Sequence, residues 1–264
     1  MKTFDNRVAV VTGAGSGIGR ALCLELARRG VHIAAVDIDP ARLQEVNEAV
    51  SALGRTCSAH AVDVADREQM AALPEQVLKS HGAVHILVNN AGVSVNLTFH
   101  EQSVADLEWI TGINYWGVMY GCKFFLPHLL EADEAHIVNV SSSAGFTGMK
   151  WQSSYAATKF AVTGLSESLF VELANTRVGI SCVHPGAVAT GILDSARMAE
   201  DRREKMLKTF RYATPPERAA RVICKAIGKR RFRVVLCPDA RVLYFLKRVA
   251  PVGTLKLMRA FAGR

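Results

Sequence analysis

The sequence predicts an α/β fold, a parallel sheet covered by helices on both faces. Three observations predict it. Short β-branched runs alternate with longer stretches of helical pattern, the order that parallel crossovers require. A glycine-rich turn follows the first run directly and opens a helical stretch. The polar clusters able to do chemistry fall at strand ends or on the next helix, where open parallel sheets bind ligands.

Strands are expected at 7–12, 32–37, 57–63, 84–90, 135–141, 179–185 and 231–237. Helices are expected at 17–29, 40–53, 66–80, 103–130 and 153–175, with another in PPERAARVICKAI (215–227). The first strand enters TGAGSGIGR (12–20), where Gly13, Gly17 and Gly19 permit a tight turn and close backbone approach. The helix that follows offers free N–H groups to a pyrophosphate. The second strand ends in Asp37, 18 residues after Gly19. A carboxylate there can accept from both ribose hydroxyls and repels a 2′-phosphate, which predicts NAD ahead of NADP. Capping the next helix suits Asp39 better, because Pro40 follows it at the first helical position. Arg20 and Arg42 are the nearby cations that keep NADP open. Further along, SSYAATK (153–159) sets Tyr155 and Lys159 one turn apart on a single helix face. A fixed ammonium beside a phenol favours phenolate and lowers its pKa, a route to acid–base work near neutrality. The alternative is a half-exposed helix whose tyrosine packs and whose lysine is solvated.

At 264 residues, half of them hydrophobic and 21% charged, the chain suits one soluble domain with a sizeable core. Its net charge of +8 is uneven: residues 232–264 carry seven Lys/Arg against Asp239 alone, leaving +2 for residues 1–231. The six cysteines form no CxxC pair and are expected reduced, as in the cytosol. None of the eight histidines belongs to a metal-ligand set, and no metal is expected. No secretory signal is visible and no run of about 20 apolar residues occurs, so a cytoplasmic protein is expected. The basic charge lacks a nucleic-acid reader motif and sits among apolar residues, which argues against nucleic acid as a partner.

Taken together, TGAGSGIG, NNAG (89–92), Asn114, Ser142 and YAATK (155–159) resemble the short-chain dehydrogenases/reductases, over roughly residues 5–190. The resemblance implies a doubly wound Rossmann fold with a seven-stranded sheet of order 3-2-1-4-5-6-7. It implies one catalytic domain over 1–239, with a substrate-covering loop at 191–214, followed by a basic tail at 240–264. It also implies a nicotinamide cofactor and a homodimer or homotetramer. Ser142, 13 residues before Tyr155, takes the place of the serine that holds the substrate oxygen, with Ser141 and Ser143 as the nearest misassignments. Tyr155 would move the proton, Lys159 would stabilise the phenolate and bind the nicotinamide ribose, and Asn114 would hold a water relay or a helix kink. The matched cofactor positions are Gly13, Ser16, Gly17, Ile18, Gly19, Asp37, Asp63, Val64, Asn90, Ala91, Gly92, Tyr155, Lys159, Pro185, Gly186, Val188 and Thr190. Asn89 fits a structural role equally well. His184, where the family commonly carries another residue type, is expected to be an ordinary strand-end residue, with substrate contact as the alternative.

The leading expectation is therefore an NAD-dependent oxidoreductase working between a secondary alcohol and its ketone. An NADPH-dependent carbonyl reductase is the rival within the class, and a non-catalytic dinucleotide sensor or scaffold the rival outside it. Val93, Val95, Leu97, Phe146, Met149, Trp151, Ile192, Leu193 and Met198 are candidates for an apolar pocket, with packing of the loop as the alternative for many of them, and such a pocket favours a lipophilic, steroid- or lipid-like substrate. The tail mixes apolar residues with Lys and Arg. It suits either a peripheral contact with an anionic membrane, as in hydroxysteroid or retinol-type relatives, or packing on the body.

Overall fold

Each of the seven predicted runs forms a strand, and all seven join one parallel sheet. The computed structural model describes residues 1–200, 202–204, 206 and 213–262. The strands are β1 (Val8–Thr12), β2 (His32–Asp37), β3 (Cys57–Ala61), β4 (Ile86–Asn89), β6 (Ala135–Val140), β7 (Val178–His184) and β9 (Arg233–Val235). Two-residue strands β5 (Val95–Asn96) and β8 (Arg197–Met198) pair separately. The sheet order β3-β2-β1-β4-β6-β7-β9 is the expected 3-2-1-4-5-6-7 when only main-sheet strands are counted. β1 is buried at every residue, because helices cover both of its faces.

One core layer packs α1 (Gly17–Arg28), α2 (Pro40–Ser51) and α7 (Pro216–Gly228) on the sheet, through Leu22, Leu26, Val46, Ile223 and Ile227. The opposite layer packs α3 (Arg67–His81), α5 (Gly117–Glu131) and α6 (Ser153–Glu172), through Met70, Leu73, Phe125, Leu129 and Val162. Strand order reverses between β1 and β4, so the carboxyl ends of these two strands open the crevice that holds the site.

Two departures from the expected elements bear on the site. The expected helix 103–130 is α4 (Val104–Thr111) and α5 joined by a π turn at Gly112–Trp116. Such turns recur at functional positions, and this one carries the buried Asn114. The expected run 57–63 ends as a strand at Ala61, where Asp63 turns the chain by accepting the Ala65 N–H at 2.9 Å.

The tail is a helical pair, α8 (Pro238–Val249) and α9 (Pro251–Ala262), broken at Ala250–Pro251, where proline cannot continue the backbone ladder. Its inner side packs on the body: the Tyr244 ring meets Phe146 edge-on at 5.3 Å, and the Thr147 hydroxyl donates to Met258 Sδ at 3.7 Å. Its outer side leaves Val242, Phe245, Leu246, Val249, Val252, Leu255 and Leu257 exposed. Among the described residues no helix is long and apolar enough to cross a membrane.

Candidate active site

The floor of the site is the turn between β1 and α1. Gly13 (φ +63°) and Gly17 (φ +50°) lie in the left-handed region, and a Cβ on Gly19 would stand 1.9 Å from the Gly13 carbonyl oxygen. The helix thus starts directly against the turn, with its backbone N–H groups at the crevice. Asn90 locks the turn, its amide donating to the Thr12 and Gly13 carbonyls at 2.9 and 3.2 Å. Thr12 Oγ1 in turn accepts the Asn90 and Ala91 N–H groups at 3.0 and 3.1 Å. At the end of β2 the Asp37 carboxylate accepts the Gly15 N–H at 2.8 Å and the Asp39 N–H at 3.1 Å. Asp39 caps α2 and pairs with Arg42 at 3.2 Å, so that cation already has an acid beside it.

Gly13, Ser16, Gly17, Ile18, Asn90, Ala91, Gly92, Ser142, Tyr155, Lys159, Pro185, Gly186, Val188 and Thr190 all line one crevice of about 680 Å³. The remaining predicted residues lie around it. Gly19 packs beneath the turn, Asp37 holds Gly15, Asp63 holds Ala65, and Val64 packs on Gly117. Asn114 is fully buried behind Gly92. Asn89 donates to Asn139 Oδ1 at 2.8 Å inside the sheet, a structural position. The glycine cradle, the N-terminus of α1 and the carboxylate at the end of β2 fit a dinucleotide, pyrophosphate on the first two and a ribose beside the third.

At the other side of the crevice, α6 carries Tyr155 and Lys159, both buried, with Lys159 Nζ 5.8 Å from the phenol ring centre. Lys159 Nζ donates to the Val140 carbonyl at 3.0 Å. Burial pushes the Tyr155 phenol up, while its hydrogen bond with Ser142 pulls it down. This is opposite to the direction expected from the sequence: loss of hydration outweighs the Ser142 hydrogen bond. Burial also pushes Lys159 down to about 8. The three neighbouring serines all line the crevice and differ in their partners. Ser141 donates to the Lys159 carbonyl at 2.9 Å, and the Ser143 backbone N–H donates to the Pro185 carbonyl at 2.7 Å. Ser142 Oγ accepts the Ala144 N–H at 3.1 Å, which leaves the hydroxyl proton available to donate. Asn114 grips the Val93 backbone from both sides, accepting at 2.8 Å and donating at 2.9 Å, so kink and site geometry share one residue. Its Oδ1 and Lys159 Nζ both lie within 3.4 Å of the point where Gly92 would carry a Cβ.

Met149, Ile192 and Leu193 line the crevice as expected, while six other pocket candidates do not. Val93, Val95 and Leu97 pack in a small core beneath Tyr155, with Ile110 and Ala156. Phe146 is sandwiched between His184 and Tyr244, Trp151 lies under Arg202 at 5.3 Å, and Met198 pairs with Asn96. Apolar type alone does not tell a pocket wall from the packing under a loop. Residues 201, 205 and 207–212 of the expected substrate loop lie outside the described residues. Ser94, Gln152, Met206 and Asp239 also line the crevice; Met206 falls within the expected substrate loop, and no local motif marks Gln152 or Asp239. Asp239 arrives from α8 and accepts the Ala187 N–H at 3.3 Å, a meeting across 52 residues that only the fold brings about. Among the described residues no group of His, Cys, Asp and Glu is placed to hold a metal ion.

The sequence profile of the short chain dehydrogenases matches residues 7–201. SadH of Mycobacterium tuberculosis is 37% identical, over 98% of this chain and 96% of SadH. A cyclohexanol dehydrogenase of an Acinetobacter species is 37% identical over 75% of this chain and 79% of its own. A short chain dehydrogenase/reductase from Burkholderia phymatum, solved in complex with NAD, superposes with a TM-score of 0.89 at 32% identity, covering 94% of this chain and 95% of that one. A metagenomic short-chain oxidoreductase solved with NADP reaches a TM-score of 0.74 at 28% identity, covering 88% and 96%.

Proposed function

The chain belongs to the short-chain dehydrogenase family and is an oxidoreductase acting on CH–OH groups, and from that premise we propose that it uses NAD to interconvert a lipophilic secondary alcohol and its ketone. The observation that carries this reading is the pairing of the Ser142 and Tyr155 hydroxyls at the crevice wall, with the Lys159 ammonium buried behind them. Asp37 at the end of β2 supports NAD over NADP, because its carboxylate would repel a 2′-phosphate and Arg42 is held by Asp39. Met149, Ile192, Leu193 and Met206 give the crevice an apolar wall, and a relative named for cyclohexanol acts on an apolar secondary alcohol.

A nicotinamide held on the glycine turn would supply hydride exchange with the carbinol carbon. The protein's residues do the rest. Ser142 donates its hydroxyl proton to the substrate oxygen and fixes that atom beside Tyr155. Tyr155 takes the alcohol proton in oxidation and returns it in reduction. Lys159 offsets the phenolate charge and would bind the ribose, and Asn114, whose Oδ1 shares with Lys159 Nζ the space beside Gly92, would hold a water relay. The finer assignment of partners is a homodimer or homotetramer, supported by exposed Trp116, Phe160, Phe170 and Val171, and a peripheral contact of the tail with an anionic membrane.

The test is turnover at the NADH absorbance band with a panel of cyclic alcohols, sterols and retinoids, using NAD and NADP in parallel. Tyr155→Phe is expected to remove about 99% or more of kcat while NAD binding persists. Near-normal turnover in that variant would sink the assignment, and a native preference for NADP would sink the role of Asp37.

A further inference from the structure

His184 ends β7 fully buried and does not line the crevice, yet its ring is tied to the residue that holds the substrate oxygen. Nδ1 lies 3.0 Å from the Ser142 carbonyl oxygen. A carbonyl only accepts, so Nδ1 must carry the proton. Nε2 is then a bare acceptor, and Cys182 Sγ stands 3.4 Å from it, two residues back on the same face of the strand. Burial keeps the ring neutral by lowering its pKa to about 4, and keeps Cys182 a thiol by raising its pKa to about 11. The S–H therefore donates to Nε2 and fixes the tautomer that donates to Ser142.

The Ser142 carbonyl also accepts the Gly145 N–H at 2.9 Å, so two donors from different elements clamp one peptide group. That clamp sets the backbone from which Ser142 Oγ points at Tyr155. Phe146 lies against the His184 ring at 5.5 Å between centres, and Tyr244 of α8 closes on Phe146 from outside. We infer that His184 is a positioning residue for Ser142, holding the serine peptide through Nδ1 so that its hydroxyl meets the substrate oxygen. The inference rests on the reading of Ser142 given above.

The test is a double-mutant cycle on the full chain with NAD and cyclohexanol, or whichever panel alcohol is oxidised. His184→Leu keeps bulk and removes the donor. It is expected to lower kcat by about tenfold to a hundredfold, the cost of a misplaced reacting group, with the dissociation constant of NAD unchanged. His184→Asn, whose amide nitrogen reaches the place of Nδ1, is expected to recover most of that loss. His184→Gln, whose amide reaches the place of Nε2, is not. In a Ser142→Ala background, His184→Leu is expected to cost nothing further of the residual rate. Losses that multiply in the double variant, equal rates for the Asn and Gln variants, or a Leu variant at wild-type kcat would each overturn the inference. If the Leu variant does not fold, the Asn and Gln pair decides. Ser142→Ala at full kcat would overturn the reading of Ser142 and the inference with it, whereas multiplying losses beside a crippled Ser142→Ala sink the inference alone.

Discussion

Burial moves Tyr155 and Lys159 in opposite directions. The phenol is pushed up and the ammonium down to about 8, each because burial removes water from its charged form. Oxidation needs the phenolate, so kcat/KM for the alcohol is expected to rise toward alkaline pH. Reduction needs the phenol proton present, so its kcat/KM should fall over the same range. Lys159→Met should move the oxidation midpoint upward, because the phenol then ionises beside no cation. A profile flat from neutral to alkaline pH in both directions would contradict the pairing. The residues themselves were readable in the sequence, since the spacing of four set the two side chains on one face. The sign of the phenol shift was not, because it depends on how deeply α6 is buried.

Among the elements, the β1–α1 turn makes the strongest demand on sequence. A methyl group at position 19 would stand 1.9 Å from a backbone oxygen that cannot move without unwinding the turn. Gly19→Ala is therefore expected to weaken NAD binding at least about tenfold, and to cost about 1–3 kcal/mol of stability from overpacking. Fluorescence titration with NAD and thermal melts check both, and a variant binding NAD normally would show that the turn has slack. Strand runs and most helices were legible because β-branched runs, proline at helix starts and apolar periodicity are local signals. The π turn at Gly112–Trp116 was not legible, since it forms where Asn114 reaches the Val93 backbone 21 residues away. Val93, Val95 and Leu97 were misplaced for the same reason: whether an apolar side chain faces a ligand or its neighbours is set by the element above it.

For the whole molecule, the outer face of α8 and α9 is an exposed apolar surface. Val242, Phe245, Leu246 and Val249 recur at helical spacing and stay exposed, and residues 240–264 hold six Lys/Arg and no acid. Such a face would repel a second copy of itself and suits an anionic lipid surface, each cation near the headgroups contributing about 1 kcal/mol. Full-length protein is expected to sediment with vesicles containing phosphatidylglycerol, less with phosphatidylcholine alone, and less again at high salt. Phe245→Glu with Val249→Glu should abolish sedimentation while leaving turnover of a soluble alcohol. Equal sedimentation of this variant and the native protein would remove the membrane reading. A change in oligomeric state instead would assign the face to a protein partner.

By itself the sequence determined the strand and helix succession, the glycine turn and the placing of Tyr155 and Lys159 on one helix face, because each is written in spacing within one element or at its end, while Ser142 came from the family resemblance. Only the tertiary structure decided how the three neighbouring serines are hydrogen-bonded, that His184 meets the Ser142 carbonyl, that Asp239 reaches the site from the tail, and which way burial moves the phenol. Those outcomes depend on contacts between segments far apart in the chain and on how much water their packing removes.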